Sequence, residues 1–339
     1  MNSKPLKTID IASLDLSDLT AVNQLAHDIH KECCETGFFF LRPTRDIQKL
    51  MDDMLKDAKM FFDLPLHKKL ELTNDESTQI IIKGQSIAGT GAGYRGLGLD
   101  PNFSNDSRES FNIGSNCLGG ESLQNIKDLK LSGIGANKWP DDTLLSGWQF
   151  RVWNFATKLV EVSVVLRTLL AVALGLPADF FDRKGLFDMS TWILGMVHYL
   201  PVQSDELSGK FGIRPHCDAG IFTLLMTDGS PGLEYSPNQS APVEERIWIP
   251  IEKAPEGCFI VNLGQNLQFL TNNKVKATLH RVVNKSGKRR YSIPFFYESN
   301  IDLDLEQVLT DIKDLNLNLK APADFLQNRL SLAKTDDFV

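Results

Sequence analysis

His216, Cys217 and Asp218 place a histidine and a carboxylate two residues apart, beside a predicted strand. Side chains two residues apart on an extended chain point to the same side, so both groups can reach one metal ion. His280 is the natural third ligand. Two histidines and one carboxylate on one face leave coordination positions open, which is the arrangement of non-haem Fe(II) oxygenases. By itself His-x-Asp is a weak signal, and a purely structural role for the motif stays equally open.

Two polar residues follow His280 at a spacing that suggests anion binding. The run around Gly287 predicts a hairpin with a three-residue loop, with the glycine at the left-handed position. In that register His280 faces Ser292 across the hairpin, and Arg290 shares their face. A guanidinium suits a carboxylate, and a neighbouring hydroxyl can donate a further hydrogen bond. The alternative is that Arg290 is a solvated strand residue, because two basic residues precede it.

The first part of the chain must position these groups with helices. Apolar residues recur at three- and four-residue steps between Leu19 and Cys33 and again between Ile47 and Phe62, which predicts two helices. Phe38 to Leu41 is typical of a buried strand between them. A long helix is predicted after Asp142, ending at the Gly-Leu-Pro run that begins with Gly175.

After Ser190 the pattern changes to short runs rich in β-branched and aromatic residues, separated by Gly, Pro and Asn. With no helical pattern between them, these runs predict antiparallel strands in a sandwich or jelly roll. The runs are Trp192 to Leu200, Ile221 to Met226, Arg246 to Ile251, Cys258 to Leu263, Lys276 to Val283 and Arg290 to Phe296. The sequence therefore predicts an α+β fold, with helices packed outside a double-sheet barrel.

Composition excludes several function classes. The 339 residues are 42% hydrophobic and 23% charged, an ordinary globular balance. A net charge of -7 leaves no positive surplus for nucleic acid. The five cysteines form no CxxC pair, so neither a disulfide framework nor a zinc ribbon is indicated. The first ten residues lack an apolar leader, and charges interrupt the most apolar stretch, so we expect a cytoplasmic protein without a membrane span.

His216-x-Asp218, His280 after 61 intervening residues, and Arg290-x-Ser292 ten positions further on together closely resemble a known family. It is the Fe(II)- and 2-oxoglutarate-dependent dioxygenases of the isopenicillin N synthase-like group. The resemblance covers about residues 7 to 300 and includes further landmarks in order: Thr8 to Ile11, Cys33 to Phe40, Phe61 to Pro65, Gly93 to Gly96, Asn137 to Pro140, Leu174 to Pro177 and Val261 to Gly264.

This resemblance implies a distorted double-stranded β-helix, or jelly-roll, core with flanking helices. It implies Fe(II) on His216, Asp218 and His280, the distal carboxylate of 2-oxoglutarate on Arg290 and Ser292, and O2 as the second cosubstrate. Plant members usually read Asn-Tyr-Tyr-Pro in one strand, and the Asn and the second Tyr contact the cosubstrate. Here those positions are His198 and Leu200, so His198 is expected to replace the Asn donor, whereas Leu200 cannot donate.

The expected organisation is one structural unit, which we expect to be a monomer. Residues 1–110 form a mainly helical N-terminal region that packs on the core. Residues 111–300 form the jelly-roll core with its long supporting helix, and residues 301–339 form a C-terminal helical segment and tail.

The resemblance further implies an enzyme that oxidises a C–H bond of a small metabolite and releases succinate and CO2. The outcome is hydroxylation, desaturation or oxidative cyclisation. One alternative is an oxidase of the same fold that needs no 2-oxoglutarate. Another is a non-catalytic small-molecule binding protein, although a pure binder has no need of an open iron site.

Substrate contacts are the least determined part of the prediction. Phe296 and Met196 are candidates to line a substrate pocket. Arg95 and Arg214 are candidates to meet a substrate carboxylate, with Arg108 a further option, although surface ion pairs explain them equally well. A glycine-rich loop between residues 84 and 98 could close over the ligand and exclude water. We therefore expect a small, polar, carboxylate-bearing substrate.

Overall fold

The structure is a computed structural model, and it describes residues 5–73, 79–82, 85–88, 92–96, 106–115, 130–132, 137–183, 186–187, 191–300 and 303–314. Much of the predicted glycine-rich loop, including Gly89, Gly91 and Gly98, lies outside the described residues, as does the tail after residue 314.

The described helices agree with the periodicity of the sequence. They are α1 Leu19–Glu35, α2 Arg45–Phe62, α3 Leu66–Leu70, α4 Trp148–Ala173, α5 Gln265–Leu270 and α6 Leu305–Asp314. The side chain of Asp18 caps α1 by accepting hydrogen bonds from the backbone N–H groups of Thr20 and Ala21. Helix α4 ends where the sequence predicts, because Gly175 adopts a left-handed φ of 82° that favours glycine.

The described strands include all the predicted runs, mostly with shorter bounds. They are β1 Thr8–Asp10, β2 Phe38–Arg42, β3 Gln79–Ile82, β4 Gln85–Ala88, β5 Gly93–Arg95, β6 Arg108–Gly114, β7 Lys130–Ser132, β8 Trp192–Tyr199, β9 Ile213–His216, β10 Phe222–Thr227, β11 Leu233–Tyr235, β12 Ile249–Pro250, β13 Phe259–Leu263, β14 His280–Val282 and β15 Arg290–Tyr297.

Two sheets form the core of the fold. The larger has eight strands in the order β1-β2-β13-β10-β15-β8-β6-β5, and the smaller has four in the order β12-β11-β14-β9. Every pairing in them is antiparallel except that of β1 with β2. Buried side chains of both sheets, among them Val197, Tyr199, Leu233 and Val282, form one apolar cluster, so the two sheets face each other as in a jelly roll.

The helices pack on the outer face of the larger sheet. Trp148 of α4 is fully buried, and its ring lies 5.4 Å from that of Phe61 in α2 and 5.6 Å from that of Phe111 in β6. Phe61 and Phe111 are themselves 4.4 Å apart. Truncating one such buried aromatic side chain costs about 3–5 kcal/mol. This aromatic group therefore fixes α2 and α4 against the sheet that forms one wall of the site.

Two expectations about the strands were wrong. A short helix, α5, lies between β13 and β14, where the sequence showed no helical pattern. The predicted hairpin between the strands of His280 and Arg290 is also absent, because β14 pairs with β9 and β11 whereas β15 pairs with β8 and β10. The intervening turn is instead held by the Asn284 side chain, whose Nδ2 donates to the Lys288 carbonyl within the turn and to the Leu200 carbonyl just after β8. The chain thus crosses from the small sheet to the large one.

Among the described helices, none is both long and apolar enough to cross a membrane.

Candidate active site

The three predicted ligands lie together at the edge of the small sheet. His216 ends β9 and His280 begins β14, and the antiparallel register places these two residues directly opposite each other. Asp218 follows two positions after His216, and its Oδ1 lies 3.6 Å from His216 Nε2 and 3.7 Å from His280 Nε2. One ligand atom of each residue lies within 4.8 Å of the others. This cluster was predicted from the sequence, and the structure brings its members together.

Both imidazoles are oriented by backbone carbonyls. His216 Nδ1 lies 2.9 Å from the carbonyl oxygen of Arg214, and His280 Nδ1 lies 3.0 Å from that of Thr278. A carbonyl only accepts, so Nδ1 carries the proton in each ring and the Nε2 lone pair is left for a metal. Burial, reinforced by the neighbouring His280, lowers the pKa of His216 to about 4. Neutral imidazoles and a carboxylate are the donor set that fits Fe(II).

The Asp218 carboxylate is held from its other side. Its Oδ2 accepts hydrogen bonds from Thr223 Oγ1 at 2.6 Å and from Asn262 Nδ2 at 2.7 Å. Burial opposes ionisation of this group, but the two imidazoles and the two donors together hold the pKa of Asp218 below its usual value. The site therefore presents an ionised oxygen, Oδ1, towards the two Nε2 atoms.

The three ligands open onto a cavity of about 480 Å³ between the two sheets. Its wall from β6 is polar, formed by Arg108, Ser110 and Asn112. Side chains of the other strands, including Leu225 and Val282, supply an apolar wall. A mostly apolar cavity with a few convergent polar groups is the usual form of a small-molecule site.

Arg290 and Ser292 belong to the large sheet and are not joined to His280 by a shared hairpin; of the two, Ser292 is among the residues that line the cavity, and Arg290 lies against Tyr199 of that lining. Ser292 lines the cavity, and its Oγ lies 3.1 Å from the Tyr199 hydroxyl. Arg290 is 2% exposed and lies over the Tyr199 ring at 4.7 Å. Its Nε donates to the Ser230 carbonyl at 3.3 Å, while its Nη1 finds no hydrogen-bond partner among the described residues. A buried guanidinium nitrogen without a partner is costly, so the group fits an incoming carboxylate.

Tyr199 was missed by the sequence reasoning. Comparison with the plant strand directs attention to His198 and Leu200, but alternation along β8 turns Val197 and Tyr199 into the cavity. Tyr199, the neighbour of Leu200, thus places a hydroxyl at the cavity. In the structure Tyr199 pairs directly with Arg290, a contact between distant strands that the two-residue period of β8 alone does not reveal.

His198 does not reach the cavity, which corrects its assignment as a cosubstrate contact. Its side chain points to the opposite face of β8, where Nδ1 lies 2.7 Å from Glu109 Oε1. Its Nε2 accepts a hydrogen bond from Arg289 Nε at 2.9 Å. Glu109 also accepts hydrogen bonds from Lys69 and Tyr94, at 2.7 and 2.6 Å. His198 is therefore part of a buried ionic network.

Some of the predicted substrate contacts line the cavity, and one does not. Phe296, Arg95 and Arg214 line the cavity. Met196 does not, because it shares the outer face of β8 with His198 and packs in the main hydrophobic core. This corrects its assignment as a pocket residue. Cys217 also lines the cavity, but its thiol donates to the carbonyl of Ala277 at 3.4 Å.

Comparison with known proteins identifies the family. The 2OG-Fe(II) oxygenase superfamily matches residues 193–299, and the N-terminal region described as "non-haem dioxygenase in morphine synthesis" matches residues 6–142. Azadirone synthase LFS of Melia azedarach is 30% identical over 298 residues, which cover 88% of this chain and 82% of that protein. The chain belongs to the 2OG-Fe(II) oxygenase superfamily.

Two further relatives of this oxygenase are informative. Homoarginine-6-hydroxylase 2-ODD-233 of Oryza sativa subsp. japonica is 28% identical over 315 residues, covering 90% of this chain and 89% of the relative. The crystal structure of a full-length Neurospora crassa protein in complex with alpha-KG and thymine superposes with a TM-score of 0.67 at 25% identity, covering 88% of each chain. As a superfamily member, the protein is an oxidoreductase that uses Fe(II), 2-oxoglutarate and O2 to oxidise a small metabolite.

Proposed function

We propose that His216, Asp218 and His280 hold the Fe(II), and that Arg290 and Ser292, joined by Tyr199, hold the distal carboxylate of 2-oxoglutarate. The single observation that carries this assignment is spatial. The three metal-binding side chains and the two hydroxyls line one cavity, and the buried Arg290 lies against the ring of Tyr199. Residues from both sheets thus surround one cavity. An enzyme that binds a metal ion and an organic cosubstrate next to each other requires such an arrangement.

When bound, Fe(II), 2-oxoglutarate and O2 supply the oxidation of a substrate C–H bond, and 2-oxoglutarate leaves as succinate and CO2. The protein's own contribution is placement and exclusion of water. Arg290 neutralises the far carboxylate, and the Tyr199 and Ser292 hydroxyls supply hydrogen bonds to it. Leu225, Val282 and their neighbours keep the opposite wall apolar.

For the primary substrate we propose a small metabolite that bears a carboxylate. Arg95, Arg108 and Arg214 all line the cavity. Two of them lie near Asp106, whose carboxylate is 3.5 Å from Arg108 Nε and 3.7 Å from Arg214 Nε. Three guanidinium groups that line one cavity favour an anionic ligand there.

The cavity volume and one relative agree with this substrate class. About 480 Å³ lies within the range of small-molecule sites, and 2-oxoglutarate takes part of it. Homoarginine, named for the rice relative, is an amino acid and therefore bears a carboxylate.

An anaerobic titration tests the cosubstrate assignment. The protein loaded with Fe(II) should develop a visible charge-transfer band as 2-oxoglutarate is added. The His216→Ala variant should show no band, whereas His27→Ala, which removes an exposed histidine of α1, should behave like the unmodified protein. If the unmodified Fe(II) protein also develops no band, the cosubstrate assignment is contradicted and a cosubstrate-independent oxidase is favoured.

A metabolite panel tests the substrate class. Succinate formation is measured with small carboxylic acids, each paired with its methyl ester. We expect stimulation by acids and not by their esters. Equal stimulation by both members of each pair, or stimulation only by a peptide or an oligonucleotide, would contradict the proposal.

A further inference from the structure

The two donors to Asp218 come from neighbouring strands and are themselves a cross-strand pair. Thr223 of β10 lies directly opposite Asn262 of β13 in the antiparallel register. Residues opposite each other on adjacent strands project from the same face, so their side chains are close together. Both are buried, at 3% and 2% exposure, and both line the cavity. The two side chains therefore contact the Asp218 carboxylate side by side.

Both donors bind the same oxygen. The Thr223 hydroxyl and the Asn262 amide lie 2.6 and 2.7 Å from Oδ2 of Asp218, distances typical of hydrogen bonds to an ionised acceptor. Oδ1, by contrast, faces the Nε2 atoms of His216 and His280. The two oxygens of one carboxylate therefore have separate partners, protein donors for Oδ2 and the metal-binding nitrogens for Oδ1.

We propose that Thr223 and Asn262 are positioning residues that hold Asp218 as a one-oxygen metal ligand. This inference rests on the proposed Fe(II) site. Two imidazoles and one carboxylate oxygen leave open the positions that 2-oxoglutarate and O2 require. Binding through Oδ2 as well would occupy one of those positions. By engaging Oδ2 with two donors, the pair keeps it from the metal, and it also fixes the direction of Oδ1.

Cobalt binding tests this role without turnover. Metal-free protein is titrated anaerobically with Co(II) in the absence of 2-oxoglutarate, and both the Kd and the intensity of the cobalt d–d absorption are recorded. Thr223→Val and Asn262→Leu should each raise the Kd by about tenfold or more, as for other residues that orient metal ligands. The d–d bands should also change from those of the unmodified protein, because a released carboxylate that binds through both oxygens takes a cobalt coordination position otherwise left to water.

Two matched variants separate this role from a loss of packing. Thr223→Ser keeps the hydroxyl and should restore both the Kd and the spectrum. Thr191→Val removes another buried hydroxyl, which donates to the Ser299 carbonyl, and should leave both unchanged. A wild-type cobalt spectrum in both Thr223→Val and Asn262→Leu would overturn the proposal. If Asn262→Leu does not fold, the comparison of Thr223→Val with Thr223→Ser decides alone.

Failure of the metal site itself gives a different result. If the unmodified protein binds Co(II) no more tightly than His216→Ala, the proposed ligand set is wrong, and the positioning role falls with it. If the unmodified protein binds more tightly than His216→Ala and the two strand variants match it, the ligand set stands and the positioning role alone is refuted.

Discussion

Replacing Arg290 should affect 2-oxoglutarate binding far more than replacing the arginine beside it. Arg290 is 2% exposed, and its Nη1 has no hydrogen-bond partner among the described residues. A carboxylate that reaches Arg290 forms a charge-assisted pair that is shielded from water. Truncating one member of such a pair costs about 2–5 kcal/mol of binding free energy. At about 1.4 kcal/mol per factor of ten, a loss of about 3 kcal/mol corresponds to a Kd raised by about 100-fold.

The assay is the anaerobic titration of the Fe(II) protein with 2-oxoglutarate, followed by its charge-transfer band. Arg290→Ala should raise the Kd by about 100-fold, and Arg290→Lys should recover only part of the affinity, because an ammonium lacks the planar fork. Arg289→Ala is the matched control. Its guanidinium binds Asp63 and His198, and His198 is on the face of β8 turned away from the cavity, so we expect a change of about twofold at most.

Two results would refute this reasoning. An unchanged Kd in Arg290→Ala would show that the guanidinium does not hold the cosubstrate. An equal loss in Arg290→Ala and Arg289→Ala would show that general positive charge, and not a directed pair, is responsible for the affinity.

Three further perturbations follow from contacts in the structure. Tyr199→Phe removes the hydroxyl 3.1 Å from Ser292 Oγ and should raise the Kd for 2-oxoglutarate by about 3- to 10-fold in the same titration, the effect of one hydrogen bond. Burial raises the pKa of Glu298 from 4.5 to about 8, so the folded metal-free protein keeps a proton that the unfolded chain releases. Its free energy of unfolding should therefore fall as the pH rises between these values, by up to about 1.4 kcal/mol per unit, and urea unfolding should show a flatter profile for Glu298→Gln. Lys69→Met leaves Glu109 buried without its cation and should cost about 3–5 kcal/mol in the same unfolding assay, whereas a loss below about 1 kcal/mol would contradict the importance of that pair.

The sequence predicted well the elements that are determined by residues close together in the chain. Helices α1, α2 and α4 follow from the three- and four-residue spacing of apolar side chains, and the Gly175 stop follows from its left-handed φ. The His216-x-Asp218 pair is local in the same sense, because two residues of extended chain bring both side chains to one side. His280 was already the candidate third ligand from its place in a predicted strand, and the resemblance to the superfamily supported that choice.

The features that the sequence did not predict depend on pairing between strands that are far apart in the chain. The turn around Gly287 looked like a hairpin, but it is closed by hydrogen bonds of the Asn284 side chain with Gly287 N–H and the Lys288 carbonyl, and the two flanking strands join different sheets. A one-residue ambiguity likewise exchanges the two faces of a strand. The match to the plant strand pointed to His198, whereas in the structure its neighbour Tyr199, also buried and polar, is on the cavity side.

The N-terminal region holds one wall of the cavity in place through strand β6, whose two faces have different partners. Glu109 on β6 points away from the cavity, where Lys69, Tyr94 and His198 hold it. Although burial opposes its ionisation, these hydrogen bonds keep the pKa of Glu109 below its usual value, so an ionised carboxylate fixes the strand from behind. Because alternate side chains point to opposite sides, the same strand presents Arg108 and its polar neighbours to the cavity. The elements that hold Glu109 therefore set the position of the wall that a substrate meets, even though all the proposed metal ligands come from the jelly roll.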